Sequence, residues 1–269
     1  MIMAGLLRGA QIEKILNEGL LALNYARLTP DSGPCIDLIV EYVGITDSVS
    51  DRSVLFVNGL SKVASHISES TDRLNGLQAK LYQFNIEGVG IIRRGITRLS
   101  QNNLISLESH FFSYAADAAR AVFESTKDVS WAIKWYDARK KSADMARKIE
   151  PKHSAHSYGF AGDAARAVFE ATRNVSWAMR WYNAKRKSAD MTRETDPKHS
   201  AYSYGFAGDA AKTVYYILHS RTWAKKAIKC YKNFIDYYEN NPTPEMQSLV
   251  DAIRRDVAYI RYNLRTKKV

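Results

Sequence analysis

AADAARAVFESTKDVSWAIKWYDARKKSADMARKIEPKHSAHSYGF, residues 115–160, is followed at once by AGDAARAVFEATRNVSWAMRWYNAKRKSADMTRETDPKHSAYSYGF, residues 161–206. The two segments align without a gap, and 32 of their 46 positions are identical. A third, more divergent copy follows, because Asp117, Asp163 and Asp209 are 46 residues apart and three tryptophans keep the same spacing. Self-similarity at a fixed period of this length is the signature of a repeat architecture.

Each copy contains a segment with helical periodicity that begins near its tryptophan. In the first copy, side chains that are apolar or small recur every three or four residues and so share one stripe of a helix: Trp131, Trp135, Ala138, Ser142, Met145, Ala146 and Ile149. Charged residues occupy the opposite face, where Lys140 and Asp144 have the i,i+4 spacing of an intrahelical ion pair. We predict that this helix ends before Pro151.

A second helix is predicted from Pro151 to about Thr172, with an acidic N-cap and proline at its first position. Asp196-Pro197 gives the same start signal in the next copy, and Asn174 or Asp128 is positioned to cap the helix that follows. One face of this second helix carries mostly small side chains, which favours close packing against its partner helix: Tyr158, Ala161, Ala164, Ala165, Val168 and Phe169.

This unit resembles the tetratricopeptide repeat (TPR) family over roughly residues 105–240. Ala161-Gly162 matches the small pair of the family's first helix, Ala178 with Trp181-Tyr182 matches the alanine and aromatics of its second helix, and Pro197 matches the terminal proline. The period departs from the family, since it is 46 residues here and about 34 there. The resemblance implies an all-α protein, an α-solenoid of antiparallel helix hairpins coiled into a right-handed superhelix.

We predict three parts: a helical region over 1–104, three TPR-like repeats over 105–242, and a capping helix with a basic tail over 243–269. The first part has no clear repeat, and its helices are predicted near 10–28, 35–45, 52–69, 72–84 and 86–100; it is either diverged repeats or a helical cap. The last helix follows Thr243 as N-cap, with an apolar face that suits the end of a repeat array: Met246, Leu249, Val250, Ile253, Val257, Ile260 and Leu264.

Composition narrows the class of protein. The chain has 269 residues and a formal net charge of +11. Residues 1–104 are neutral, so residues 105–269 hold the whole excess, which suggests an anionic partner there or a solvated helix surface. Cys35 and Cys230 form no CxxC pair, which favours a cytoplasmic, reducing setting. No run approaches the ~18–20 apolar residues of a membrane span, so no membrane partner is expected.

The sequence predicts no enzyme, no cofactor and no metal site. Phosphate-binding, zinc-protease and serine-hydrolase motifs are missing. His153 and His156 have helical spacing, but the next copy has His199 and Tyr202, so the pair is not kept within the chain. An enzyme with a site in residues 1–104 stays a third hypothesis.

Two rows are candidate partner-binding residues. On the helix after each proline, Arg120, Arg166 and Lys212 recur every 46 residues beside a parallel aromatic row, Phe112, Tyr158 and Tyr204. In the resembled family this helix lines the groove that takes extended peptides, so a basic row there suits acidic protein segments. The alternative is that each arginine pairs with a glutamate in its own helix; in the third copy Tyr216 replaces that glutamate and should leave Lys212 freer.

The other helix of each copy carries a basic stripe that could contact phosphates: Lys140, Lys141, Lys185, Arg186, Lys187, Lys225 and Lys226. The first functional hypothesis is therefore a non-enzymatic scaffold that binds a protein or peptide through the helical-repeat groove. The alternative is a basic repeat array that binds RNA or DNA. The sequence leaves the oligomeric state open.

Overall fold

The computed structural model describes residues 101–266 and, before them, positions 79, 82, 83, 85, 86 and 89. The described residues are all-helical and contain no strand. Seven consecutive helices follow one another: α1 (Gln101–Thr126), α2 (Val129–Ala146), α3 (Pro151–Thr172), α4 (Val175–Thr192), α5 (Pro197–Leu218), α6 (Arg221–Asn240) and α7 (Pro244–Thr266). The predicted packing of residues 1–104, including helices near 10–28, 35–45 and 52–69, lies outside the described residues.

The helices repeat with the period of the sequence. α2 and α4 begin and end 46 residues apart, and so do α3 and α5. α6 begins in the same register but is two residues longer than α4, 20 against 18, and α7 begins one residue later than the period would place it. The sequence duplication is therefore a structural duplication up to α6, and the last junction departs from it.

Local signals explain these boundaries. The Asn174 side chain accepts a hydrogen bond from Ser176 N at 3.0 Å, and Asp196 accepts one from His199 N at 3.0 Å. The Glu150 side chain makes no capping hydrogen bond to the start of α3, so the predicted acidic cap is wrong at this position. α1, α3 and α5 stop at a left-handed residue in the same register, namely Lys127, Arg173 and His219, whose φ angles are 59°, 56° and 49°.

The chain forms two compact units, Met1–Trp131 and Ala132–Val269. In the first unit, α1 buries one face that includes Phe111, Ala115 and Val122, and Trp131 meets the ring edge of Tyr82 with centroids 5.5 Å apart. In the second unit each helix packs against the next, from α2 through α7. The predicted small-residue face of α3 is buried throughout, which confirms that face as the packing surface.

Glycines let α3 and α5 approach the helices that follow them. The Ser188 hydroxyl lies 3.3 Å from where a Cβ on Gly159 would stand, and the Lys185 stem lies 2.7 Å from a Cβ on Gly162. The Phe234 ring lies 3.0 Å from a Cβ on Gly205 in the α5–α6 pair. A side chain at any of these positions would push the two helices apart or displace the group above it.

The last helix begins at Pro244, directly after the predicted N-cap Thr243, and has a narrower apolar face than predicted. Its buried apolar residues are Val250, Ile253, Val257 and Ile260, joined by Asn263. Leu249 was expected on this face, and that prediction is wrong, because 41% of its surface is exposed.

Candidate partner-binding surfaces

The predicted basic row on α1, α3 and α5 is charge-balanced. Arg120 Nε lies 2.6 Å from Glu124 Oε1, and Arg166 Nε lies 2.7 Å from Glu170 Oε1. Both are exposed i,i+4 pairs, so they match the alternative explanation from the sequence. The Arg166 guanidinium also lies over the ring of Trp181, 5.5 Å from its centroid.

Lys212 is held by two carboxylates. Its ammonium lies 2.6 Å from Asp256 Oδ2 of α7 and 3.7 Å from Asp209 Oδ1. The expectation that Tyr216 leaves Lys212 freer is therefore wrong, because the last helix supplies an acidic partner 44 positions away in the chain.

The predicted aromatic row is part of the interior. Phe112, Tyr158 and Tyr204 are 4%, 2% and 4% exposed, so these rings are not available to a partner in the described arrangement. Tyr158 donates its hydroxyl hydrogen bond to Asp144, and Tyr204 donates to Asp190 at 2.5 Å. Burial, followed by the hydrogen bond to Asp190, raises the pKa of Tyr204 to about 12. These hydroxyls connect each helix to its predecessor.

Most of the predicted phosphate-binding stripe is engaged within the chain. Lys140 pairs with Asp144 at 2.6 Å, and Arg186 lies 3.8 Å from Asp190. Lys187 lies over the Tyr158 ring, 4.7 Å from its centroid, and Lys226 lies over Trp223 at 3.9 Å. Lys141 and Lys225 are exposed.

Lys185 was predicted to belong to this phosphate-binding stripe, and that prediction is wrong because its side chain is buried. Its side chain is 7% exposed, its stem crosses Gly162, and its ammonium pairs with Asp163 Oδ1 at 2.8 Å. Burial lowers the pKa of Lys185, and the Asp163 carboxylate opposes that shift. The close approach at a glycine in the neighbouring helix is the signal that sequence reasoning missed.

The α5–α6 pair fills the same space differently. Tyr231 stands 46 positions after Lys185 and its ring covers Gly208. The Tyr231 hydroxyl donates to Asp209 Oδ1 at 2.7 Å, in the position that Asp163 has in the previous pair. A hydrogen bond from a neutral phenol thus replaces an ion pair.

Aromatic edges and cations join α2, α4 and α6. Trp177 meets Tyr136 at 5.2 Å between ring centroids, and Trp223 meets Tyr182 at 5.1 Å. Arg180 lies over Trp177 at 4.2 Å, as Lys226 lies over Trp223. These cation–π contacts occupy positions that the sequence left as solvated charge.

Serine and histidine side chains connect consecutive helices. Ser142 Oγ lies 3.1 Å from His153 Nε2, and the next copy repeats this contact between Ser188 and His199 at 3.1 Å. The ring of His156 meets the ring of His199 with centroids 5.0 Å apart. No group of three or more potential metal ligands occurs within the described part of the chain.

A cleft opens at the last junction, where the period breaks. It measures about 450 Å³ and lies between the start of α5, the end of α6 and the start of α7. Tyr202, His199, Tyr238 and Met246 are among its lining residues. The ring of Tyr202 is 48% exposed and packs edge-on against Phe206.

The end of α5 carries an exposed apolar segment. Tyr216, Ile217 and Leu218 are 41%, 45% and 46% exposed. Across from them on α7, the Tyr259 ring lies 6.5 Å from the Tyr216 ring, and Tyr262 follows one turn later with 62% exposure. We name these five residues the terminal aromatic patch. Sequence reasoning missed it, although the copies differ visibly here.

No family model and no curated protein matches the chain. Among solved structures, the chain is similar to BtubC (BKLC) from P. vanneervenii, with 10% identity, a TM-score of 0.31, and coverage of 96% of this chain and 94% of that one. It is also similar to a computationally designed self-assembling cyclic homooligomer, with 14% identity, a TM-score of 0.29, and coverage of 94% and 98%. In the described residues, no helix is long and apolar enough to cross a membrane.

Proposed function

We propose that this protein is a non-enzymatic cytoplasmic scaffold, a TPR-like solenoid of antiparallel helix hairpins, which binds a protein segment through the terminal aromatic patch. The helix periods support the architecture, as does the order of contacts between α3 and α4. Gly159 meets Ser188, whereas Gly162, further along α3, meets the earlier residue Lys185. Contacts in this order are those of two helices that run in opposite directions.

A comparison of copies carries the choice of surface. Glu170-Ala171-Thr172 ends α3, and the matching residues of α5 are Tyr216-Ile217-Leu218. The first copy is also polar at this place, with Glu124-Ser125-Thr126. The third unit therefore exposes three large apolar side chains where its relatives within the chain expose small or polar ones.

Exposing these three large side chains to water costs free energy. Contiguous exposed apolar surface marks protein interaction sites, and tyrosine is enriched among the residues that dominate binding energy. The patch also lies on the helices that follow the prolines, which line the binding groove in the resembled family. The proposed binding surface therefore lies on the predicted set of helices. It uses the apolar residues at the end of α5 in place of the predicted row of Arg120, Arg166 and Lys212.

The serine and histidine pairs support a structural role for the groups that could carry chemistry. Ser142 with His153, and Ser188 with His199, each bridge two helices at the same position of the repeat. A contact that recurs at matching positions of two copies serves the packing of the array.

The test replaces the three apolar residues at the end of α5 with the residues found at the matching positions of α3. Tyr216→Glu, Ile217→Ala and Leu218→Thr together restore the polar end and give Lys212 an i,i+4 acidic partner, so α5 should stay folded. Both forms are used as bait in nuclease-treated cell extract, and captured proteins are quantified by mass spectrometry. We expect at least one captured protein to fall by about tenfold or more, since hot-spot aromatics contribute ~2 kcal/mol or more each.

The matched control changes the end of α3 by Glu170→Gln, Ala171→Ser and Thr172→Ser, and it should keep the native capture profile. An unchanged profile for the α5 variant contradicts the proposal. Light scattering on both forms separates self-association: a native dimer that the α5 substitutions dissociate would make the patch an interface between copies of this chain.

A further inference from the structure

One stripe of α6 differs in charge from the matching stripes of α2 and α4. At four matching positions α2 has Val129, Ile133, Asp137 and Lys140, and α4 has Val175, Met179, Asn183 and Arg186. The same positions of α6 are Arg221, Lys225, Lys229 and Lys232. The formal charge of the stripe therefore rises from 0 through +1 to +4 along the array.

The four cations of α6 form a continuous row. At 3.6 residues per turn they fall within one sector of ~80°, and at 1.5 Å per residue they extend over ~16 Å. All four are exposed. Within the described residues none of them has a carboxylate oxygen in ion-pair distance, whereas Lys140 and Arg186 on the earlier stripes each do.

The need to solvate the end of the array explains the polarity of this stripe but not its sign. Val175 and Met179 on α4 pack, together with Trp223 of α6, against a cluster of Phe169, Ala178 and Val214, and within the described residues no helix follows α6 in the same register. The surface that α6 shares with α7 carries both signs of charge, since Arg254 of α7 pairs with Glu239 of α6 at 2.6 Å and with Asp251 of α7 at 2.9 Å. The positive charge of the α6 stripe is therefore not compensated by a carboxylate within the described residues, and an anionic partner would compensate it.

We propose that this stripe of α6 binds the phosphate backbone of a nucleic acid duplex. Phosphate contacts come from lysine and arginine and need no apolar surface. A protein interface would instead need an apolar core, and no large apolar side chain of α6 is exposed. A single strand would need exposed rings for base stacking, and Lys226 covers the face of Trp223.

The stripe has a defined end. Asp236 and Glu239 continue the same side of α6 after Lys232, so phosphate contacts stop at the third turn of the helix. The site is therefore one end of one helix, and it is separate from the terminal aromatic patch on α5 and α7.

The test measures the anisotropy of labelled duplex DNA, duplex RNA and single-stranded RNA, titrated with the full-length protein at 50 and 200 mM salt. We expect tight duplex binding that weakens steeply with salt. Replacing Lys225, Lys229 and Lys232 with Gln should weaken binding at least about tenfold and reduce the salt slope by ~3, since each phosphate contact contributes ~0.9. The two duplex arms show whether the duplex is DNA or RNA.

The matched control removes the same charge elsewhere. The control variant carries Gln at three exposed positions before or at the start of α3 and α5, namely Lys148, Lys152 and Lys198. Its affinity should stay within about twofold of native. An equal loss in both triple variants, no duplex binding at 50 mM salt, preferential binding of the single strand, or equal competition by polyglutamate would each overturn the proposal. The α5 patch variant should bind duplex normally, so this proposal and the proposed function fail separately.

Discussion

The α3–α4 and α5–α6 pairs share a frame and differ in what fills it. Both begin with proline, both stop their first helix at a left-handed residue, and both place two glycines under the second helix. Over those glycines, however, one pair places Lys185 and Ser188 and the other places Tyr231 and Phe234. The comparison teaches that the helical frame of this repeat tolerates a polar or an aromatic filling, and that the last pair was also changed on its outside.

The largest expected difference concerns the glycine beneath each filling. A methyl group on Gly208 would overlap the fully buried Tyr231 ring, whereas one on Gly162 would come within 2.7 Å of the flexible Lys185 stem. Overpacking against a rigid ring costs about 1–3 kcal/mol. Because alanine in a helix regains roughly 0.5–1 kcal/mol over glycine, we expect Gly208→Ala to lower the free energy of unfolding by about 1–2 kcal/mol, measured by urea denaturation.

Gly162→Ala is the matched control. The stem of Lys185 can shift, and alanine in a helix regains roughly 0.5–1 kcal/mol over glycine, so the net change should be near zero. The first copy already has alanine at this position, Ala116. Equal losses in the two variants would show that the fillings are equally rigid.

The next prediction transfers the filling itself. Lys185→Tyr introduces, over Gly162, the residue type that the α5–α6 pair has at the matching position. Its hydroxyl can donate to Asp163 as Tyr231 does to Asp209. Because a buried cation is replaced by a neutral donor, we expect the variant to be more stable by about 1 kcal/mol at pH 7, seen as a higher Tm. A lower Tm would mean that the surroundings of Lys185, including the Phe206 ring, do not accept a phenol.

The gain should depend on pH with a definite sign. Burial lowers the pKa of Lys185 in the folded state, so the unfolded state binds more protons as pH approaches the ordinary lysine value. Native stability then rises with pH through that window, and the advantage of Lys185→Tyr should narrow as the pH rises from 7 towards the ordinary lysine pKa of 10.5. A constant difference over this range would contradict a buried, charged Lys185.

Much of this frame could be predicted from the sequence, because local chemistry sets it. The bounds Pro151–Thr172 followed from proline, capping and periodicity, and they are confirmed. Asn174 and Asp196 act as the predicted caps, whereas Glu150 does not. The side chain of Glu is longer than that of Asp and is not among the favoured N-caps.

The candidate sites were predictable only in part, since they depend on contacts between distant residues. Lys185 reads as one basic residue among three, and only the glycine on the facing helix shows that it is buried. Lys212 reads as exposed until Asp256 is placed beside it. The terminal aromatic patch, by contrast, could have been found by aligning the ends of α3 and α5.

The smallest expected effect concerns the junctions between successive pairs. At the α3–α5 junction the His156 ring meets His199, whereas at the α5–α7 junction Tyr202 borders the cleft. Burial and then the neighbouring His156 lower the pKa of His199, with Asp196 and Lys185 as the other charged neighbours. Ser188 on α4 and Ser203 on α5 hold its Nε2 at 3.1 and 3.4 Å.

A histidine whose pKa is lowered by folding costs stability in acid. Below the ordinary histidine pKa of 6.5 the unfolded state binds the additional proton, so native stability falls as pH drops from about 7 towards 5. His199→Gln should reduce this fall, measured by urea denaturation at pH 7 and pH 5. His156→Tyr, which introduces the residue found at this position in the next copy, should raise the pKa of His199 in an NMR titration because it removes the second of the three causes that lower it, after burial and before Lys185. If the His199 titration does not move, burial and not the histidine pair distinguishes this junction from the next.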